Sequence, residues 1–238
     1  MNFNAGEYEH NTGGGSKILS PGEHYCRIID ITMVEPDFKP GSLFVNILLE
    51  GPHLGDDFEG IAIDKENPDA GTYNGMIATV GASRYPFSEF EWKGKTIDRD
   101  GQIFNWINGL ATQLGVFEQI QTAKIQADTI EEYVEKVKAF LTNPELWATY
   151  CVAGREYYKD GYDSPNYNLF FPKKNGKKFP YTIALDDKGE PVKDLIRFDE
   201  ETHIIKADKP KESTDVQGFG GQADEGPTAA DLGAPTLD

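Results

Sequence analysis

The sequence predicts a mainly β fold, a small antiparallel β-barrel that carries a helical insertion and trails a disordered acidic C-terminal tail. Three observations lead there. Leu43 to Glu50 alternates, with Leu43, Val45, Ile47 and Leu49 on one face and Phe44, Asn46, Leu48 and Glu50 on the other, which is the period of a strand. Between about 100 and 143 the apolar residues recur at three- and four-residue spacing, which is the period of a helix. After Lys211 the chain has no Lys or Arg at all, while Glu212, Asp215, Asp224, Glu225, Asp231 and Asp238 alternate with small residues and Gly. The chain therefore divides into a flexible arm over 1–20, one domain over 21–206, and a tail over 207–238.

Each element has its own signal. Tyr25 to Val34 is rich in β-branched residues, and the two prolines and the glycine of Glu35 to Gly41 separate it from the strand of Leu43 to Glu50. Gly51-Pro52 breaks that second strand, and a third short element ends near Ile63, giving three antiparallel strands. Thr72 to Val80 favours a strand again. Asp100 can cap a helix with Ile103, Phe104, Ile107, Leu110, Ala111 and Leu114 on one face, ended by Gly115. Thr129-Ile130-Glu131-Glu132 reads as a capping box opening a second helix that runs to Asn143-Pro144. Trp147 to Tyr158 is strand-like. Asn166 to Lys174 and Lys177 to Leu185 flank Asn175-Gly176, a strong two-residue hairpin signal, and Pro180 marks the return strand as an edge. Leu195 to Phe198 and His203 to Lys206 are candidate short terminal strands.

Composition narrows the function. A net charge of −17 excludes a surface that binds duplex DNA everywhere by charge alone, so any nucleic-acid site must be local. The two cysteines, Cys26 and Cys151, lie in strand-like runs and read as reduced core thiols. No apolar run approaches the roughly 18 residues of a membrane span, and the N-terminus lacks a signal-peptide layout, so a soluble intracellular protein is expected.

A search for catalytic chemistry finds none. His10, His24, His53 and His203 stand far apart, without partners at metal-ligand spacing. Gly13 to Lys17 resembles a phosphate loop only superficially, since no strand precedes it and Pro21-Gly22 follows where a helix should begin. Asp56-Asp57 and Asp186-Asp187 are better explained as turns. The expectation is a protein without enzymatic activity, metal or cofactor. What stands out is a set of aromatics interleaved with cations: Arg84, Tyr85, Phe87, Trp92, Lys93 and Lys95; Arg155, Tyr157, Tyr158 and Lys159; Tyr167 with Lys173, Lys174, Lys177 and Lys178. Flat rings stack on splayed bases for roughly 1–3 kcal/mol each while cations follow the phosphates, so this mixture suits single-stranded nucleic acid. A plain alternative is that Phe87, Phe90, Phe170, Phe171 and Tyr150 fill a β core.

Several of these features together resemble the phage-type single-stranded DNA-binding proteins, whose barrel is an OB-fold. They are Pro21-Gly22-Glu23-His24-Tyr25 opening the first strand, Leu49-Glu50-Gly51, the Gly55 to Gly60 turn, Leu110 to Val116, and Tyr157 to Pro172 with its Asn-Tyr-Asn-Leu-Phe-Phe run. The resemblance covers most of the chain. It implies sequence-tolerant binding of single-stranded DNA during phage replication, recombination or repair, in the host-cell cytoplasm. It also implies a tail, with Asp231, Leu232, Leu237 and Asp238 at its tip, that recruits replication or recombination proteins and covers the cationic groove until DNA displaces it. This tail departs from bacterial tips, which end in an apolar aromatic. Two other readings stay open: a protein-interaction or virion component using the barrel as a scaffold, and a glycan-binding β-module. The helices are expected either to cap the groove or to make a homodimer.

Overall fold

The computed structural model describes residues 19–159, 164–173 and 196–207, and the backbone of 182–183. A 13-residue strand, β1 (Gly22–Val34), opens it and is followed by β2 (Phe44–Glu50). Two short pieces, β3 (Ile61–Ala62) and β4 (Thr72–Tyr73), pair only with each other among the described residues. Then come β5 (Ile77–Gly81) and a second small hairpin, β6 (Phe90–Trp92) with β7 (Lys95–Ile97). The helices α1 (Arg99–Gln113), α2 (Phe117–Thr122) and α3 (Ile130–Leu141) form the insertion. The chain returns through β8 (Trp147–Tyr157), β9 (Asn166–Phe170) and β10 (Thr182–Ile183), and closes with a one-turn helix α4 (Glu200–His203) and β11 (Ile204–Ile205).

The main sheet pairs β1 with β2, β2 with β5, β5 with β9, and β9 with β8, and β8 pairs in turn with β1. All of these are antiparallel except β5 with β9, which is parallel. One strand can serve two neighbours because β1 carries an irregularity between Ile28 and Asp30, and such a bulge bends a strand and sharpens its twist. Its first half, Gly22 to Arg27, lies against β8, and its second half, from Arg27 on, lies against β2.

Arg27 is the residue where the two pairings meet, opposite Glu50 on β2 and Trp147 on β8. Its guanidinium donates from Nε to Glu50 Oε2 at 2.8 Å, with Nη2 at 2.7 Å from the same oxygen, and its Cζ lies 5.8 Å from the Trp147 ring centroid. Glu50 is 3% exposed, and its other oxygen accepts from the Asn74 N–H at 2.9 Å. A carboxylate buried so deeply is tolerable only with partners of this kind.

Alternation on β2 is as predicted: Val45, Ile47 and Leu49 are buried and join Ile28, Ile31, Val80, Tyr150 and Val152 in one core. The helices share that core. Ile103, Trp106, Ile107 and Leu110 of α1 and Val134, Val137 and Leu141 of α3 belong to it, and the Phe171 ring bridges Trp106 at 6.1 Å and Tyr150 at 5.8 Å.

Local signals were met with small displacements. Asp98, not Asp100, caps α1, accepting from the Gly101 N–H at 2.6 Å, because Asp100 is drawn into the first turn beside Arg99. Gly115 ends the helix at φ 73°. Thr129 caps α3 as expected, accepting from Glu132 N–H at 3.2 Å, while the Glu132 carboxylate reaches back to the Asp128 N–H at 2.9 Å. Helices α2 and α4 are too short to have announced themselves by periodicity.

Larger departures concern pairing. The element ending near Ile63 is not the third strand of the sheet, and that place belongs to β5. Thr72 to Val80 is not one strand, because Asn74-Gly75-Met76 separates β4 from β5. Leu195 to Phe198 is not a strand over its described residues. The expected hairpin of β9 with its return strand is not formed by β10, which pairs with β8 at Thr149 and Tyr150. The hairpin tip itself, the arm before residue 19 and the tail from 208 lie outside the described residues.

Both cysteines are free and buried, and burial pushes each thiol up to about 12. Arg27 generates the sharper prediction. Arg27→Ala should cost about 2–4 kcal/mol in urea unfolding, because it strands a buried carboxylate, whereas the double change with Glu50→Gln should recover part of that loss. No difference between the single and double variants would contradict the assignment.

Candidate functional site

Arg155, Tyr157 and Tyr158 come together. With Glu156, Asn168, Ile205, Lys206 and Ala207 they line a cleft of about 450 Å³ at the end of β8. Three strands make it: β8 supplies Arg155 and Tyr157, β9 sets Asn168 directly opposite Arg155, and β11 runs parallel to β8 with Ile205 also at Arg155. Glu156 is partly occupied, its Oε2 accepting from the Ala207 N–H at 3.3 Å. The cleft thus offers two phenol rings, a guanidinium, an ammonium and an amide. Lys159 follows, exposed.

Tyr167 stands opposite Glu156 in register and lies over Gly154, where an added Cβ would meet Tyr167 Cδ1 at 3.0 Å and Pro21 Cγ at 2.5 Å. Glycine is what lets ring and proline approach the strand this closely. Burial, and then the neighbouring Glu156, raise the Tyr167 phenol above its ordinary value.

The remaining predicted residues sit elsewhere. The parallel bridge of Gly81 with Phe170, and the Phe171 N–H donating to Gly81 O at 2.9 Å, bring the segment after β5 to the far end of β9 from the cleft. There the Arg84 guanidinium lies 4.9 Å from the Tyr85 ring centroid, both residues exposed, and Lys173 is also exposed. Trp92, Lys93 and Lys95 lie on the hairpin of β6 and β7. Lys93 at φ 50° and Gly94 at φ 70° make the two-residue loop left-handed throughout, as a type I′ turn requires, and the Lys93 Nζ sits 5.2 Å from the Trp92 ring centroid.

Phe87 makes a paired bridge with Leu43 at 2.9 and 2.8 Å, is half-buried, and packs against the main core. The tail from Glu212 holds only six of the seventeen net negative charges, so most of the excess belongs to the rest of the chain. Lys174, Lys177, Lys178 and the tail tip with Asp231, Leu232, Leu237 and Asp238 lie outside the described residues.

Sequence reasoning missed several exposed rings. Tyr25 of β1 stacks on Trp147 of β8 at 5.4 Å and 24°. Phe38, 76% exposed in the loop between β1 and β2, meets Phe44 edge-on at 6.3 Å, and Lys39 beside it donates to Ser88 Oγ at 3.1 Å. A cross-strand pair has no signature within either strand, which is why Tyr25 and Trp147 were not joined. Phe38 stood out only as an aromatic among turn residues. A second groove, about 410 Å³, runs between the helices and is lined by Phe104, Phe117, Ile120, Ile125 and Tyr133 with mostly uncharged polar residues.

Among the described residues, no group of three His, Cys, Asp or Glu is placed to hold a metal ion, and no helix is long and apolar enough to cross a membrane. No protein-family model, curated protein or solved structure matches the chain.

The wall made by 196–207 carries a titratable contact. His203 is buried, its Nδ1 accepts the Asp199 N–H at 2.9 Å, and its ring lies 5.7 Å from Phe198. Burial lowers its pKa, with Asp199 opposing, so the folded chain prefers the neutral imidazole. The unfolded chain then binds the extra proton first. Stability from this group is full above the ordinary histidine value of about 6.5 and falls as pH drops through it. The protection factors of the Ile204 and Ile205 amides, measured exchange corrected for the intrinsic rate at each pH, should therefore fall between pH 7 and 5.5 in the wild type and less so in His203→Gln. Equal pH dependence in both proteins would contradict this.

Proposed function

We propose that this chain is a non-enzymatic binder of single-stranded DNA, tolerant of sequence, acting in replication, recombination or repair of phage DNA. The observation that carries the reading is the cleft in which Arg155, Tyr157, Tyr158, Asn168 and Lys206 converge. Rings that stack, cations that meet phosphate and one amide for a base edge are the parts such a ligand asks for.

The sheet supports the same reading. Pairing that runs β1, β2, β5, β9, β8 and back to β1, with one parallel step and helices inserted between β5 and β8, supports an OB-type barrel as the architecture. In such a barrel the outer face of the second and third strands is the usual platform for oligonucleotides. Here those strands are β2 and β5, and their outer face carries the half-exposed Phe44, Asn46 and Leu48 and the exposed Thr79, with Phe38 at its margin.

One observation favours a second reading, a scaffold for protein partners: most of the net negative charge lies outside the tail. Anisotropy titrations with oligothymidine, duplex DNA and RNA of equal length at two salt concentrations separate the two. Tight binding of the single strand, with Arg155→Ala lowering the slope of log K against log salt by about 0.7, is the expected result. Removal of residues from Glu212 on should tighten that binding by relieving like-charge repulsion. A wild-type protein that binds no single strand at low salt would refute the proposal and leave the scaffold reading.

A further inference from the structure

Tyr25 occupies a place the reading above does not use. On β1, Cys26 and Ile28 turn into the core, so Glu23, Tyr25 and Arg27 share the opposite, outer face. The Tyr25 ring is nearly parallel to Trp147 on β8, at 5.4 Å, yet the residue remains 55% exposed. One ring face is backed and the other is open.

Its neighbours on that face of the strand are Arg27 and Glu23, each in an ion pair. Arg27 follows two residues on, held by Glu50 and with a quarter of its side chain exposed. Glu23 precedes it by two and receives Arg197 from the segment after β10, with Nη1 at 3.1 Å from Oε2 and 60% of the Arg197 side chain in solvent. The Phe198 N–H also donates to Glu23, at 2.9 Å, which fixes that segment against β1. Residues two apart on a strand stand about 7 Å from each other, so the ring has Arg27 at that spacing on one side and, on the other, Glu23 with Arg197 paired to it.

We infer that Tyr25, backed by Trp147 and with Arg27 two residues on along the same face, is a further stacking position for one base of a single-stranded nucleic acid, separate from the cleft around Arg155. This rests on the function proposed above. A flat open ring stacks only on a base that has left its own stack, so the position selects single strands over duplex. Arg27 and Glu50 give it rigidity: the ion pair holds the guanidinium over Trp147, and Trp147 in turn backs Tyr25. The Trp147 Nε1–H donation to Pro144 O at 3.1 Å fixes the indole from its other edge.

The test compares full-length wild type, Tyr25→Ala and Tyr25→Phe for binding of a 30-nucleotide oligothymidine by anisotropy. Loss of roughly tenfold in affinity for Tyr25→Ala, with Tyr25→Phe within a factor of about two of wild type, is expected for a stacked base. Because alanine also removes the contact with Trp147, crosslinking of the wild-type protein to a 5-iodouracil oligonucleotide serves as the second readout, with crosslinks expected at Tyr25 or Trp147. Unchanged affinity in Tyr25→Ala, or crosslinks confined to the cleft residues, overturns this position while the single-strand reading stands. Failure of the wild type to bind oligothymidine overturns both.

Discussion

One arginine holds the two halves of the sheet together. Arg27 is the point on β1 where the neighbour changes from β8 to β2, and its side chain touches both, in an ion pair with Glu50 and over the ring of Trp147. A sheet that turns back on its first strand must bend that strand, and the irregularity between Ile28 and Asp30 begins directly after Arg27. The buried Glu50 is costly by itself. With the guanidinium and the Asn74 N–H satisfying it, the carboxylate instead specifies which residues must face each other at the turn.

That constraint sorts the aromatic residues. Rings inside the bend, such as Tyr150 and Phe171, fill the core together with Trp106 of α1. Tyr150 pays for its place, since among the described residues its hydroxyl is buried without a hydrogen-bond partner, and burial raises its pKa. Rings outside the bend are left available: Tyr157 and Tyr158 at the cleft, Phe38 and Phe44 near the first loop, Tyr25 on the shared strand. Inward and outward rings are therefore divided by where each strand, helix and loop places them, not by aromatic content.

Much of this was legible in the residues. Alternation from Leu43 to Glu50 placed β2 and its inward face, helical spacing placed α1 and α3, and Gly115 and Thr129 marked helix ends through their own backbone chemistry. Pairing was less legible. Thr72 to Val80 looked like one strand because propensity does not reveal that Asn74 must turn to offer its N–H to Glu50. Asn175-Gly176 pointed to a local hairpin, yet β10 pairs with β8, a choice made by the sheet rather than by the turn. Around the cleft, Arg155, Tyr157 and Tyr158 were visible as one run, while Asn168 comes from the next strand and Lys206 from just beyond β11, some fifty residues on.

The central claim is that the outward rings meet a single nucleic-acid strand while the inward rings do not. Aromatic chemical-shift mapping by NMR during titration with oligothymidine tests it most directly. The account predicts shifts at Tyr157, Tyr158 and Tyr25, with Tyr150, Phe171 and Trp106 unmoved. Shifts spread evenly over core and surface rings, or none at saturating oligonucleotide, would contradict it.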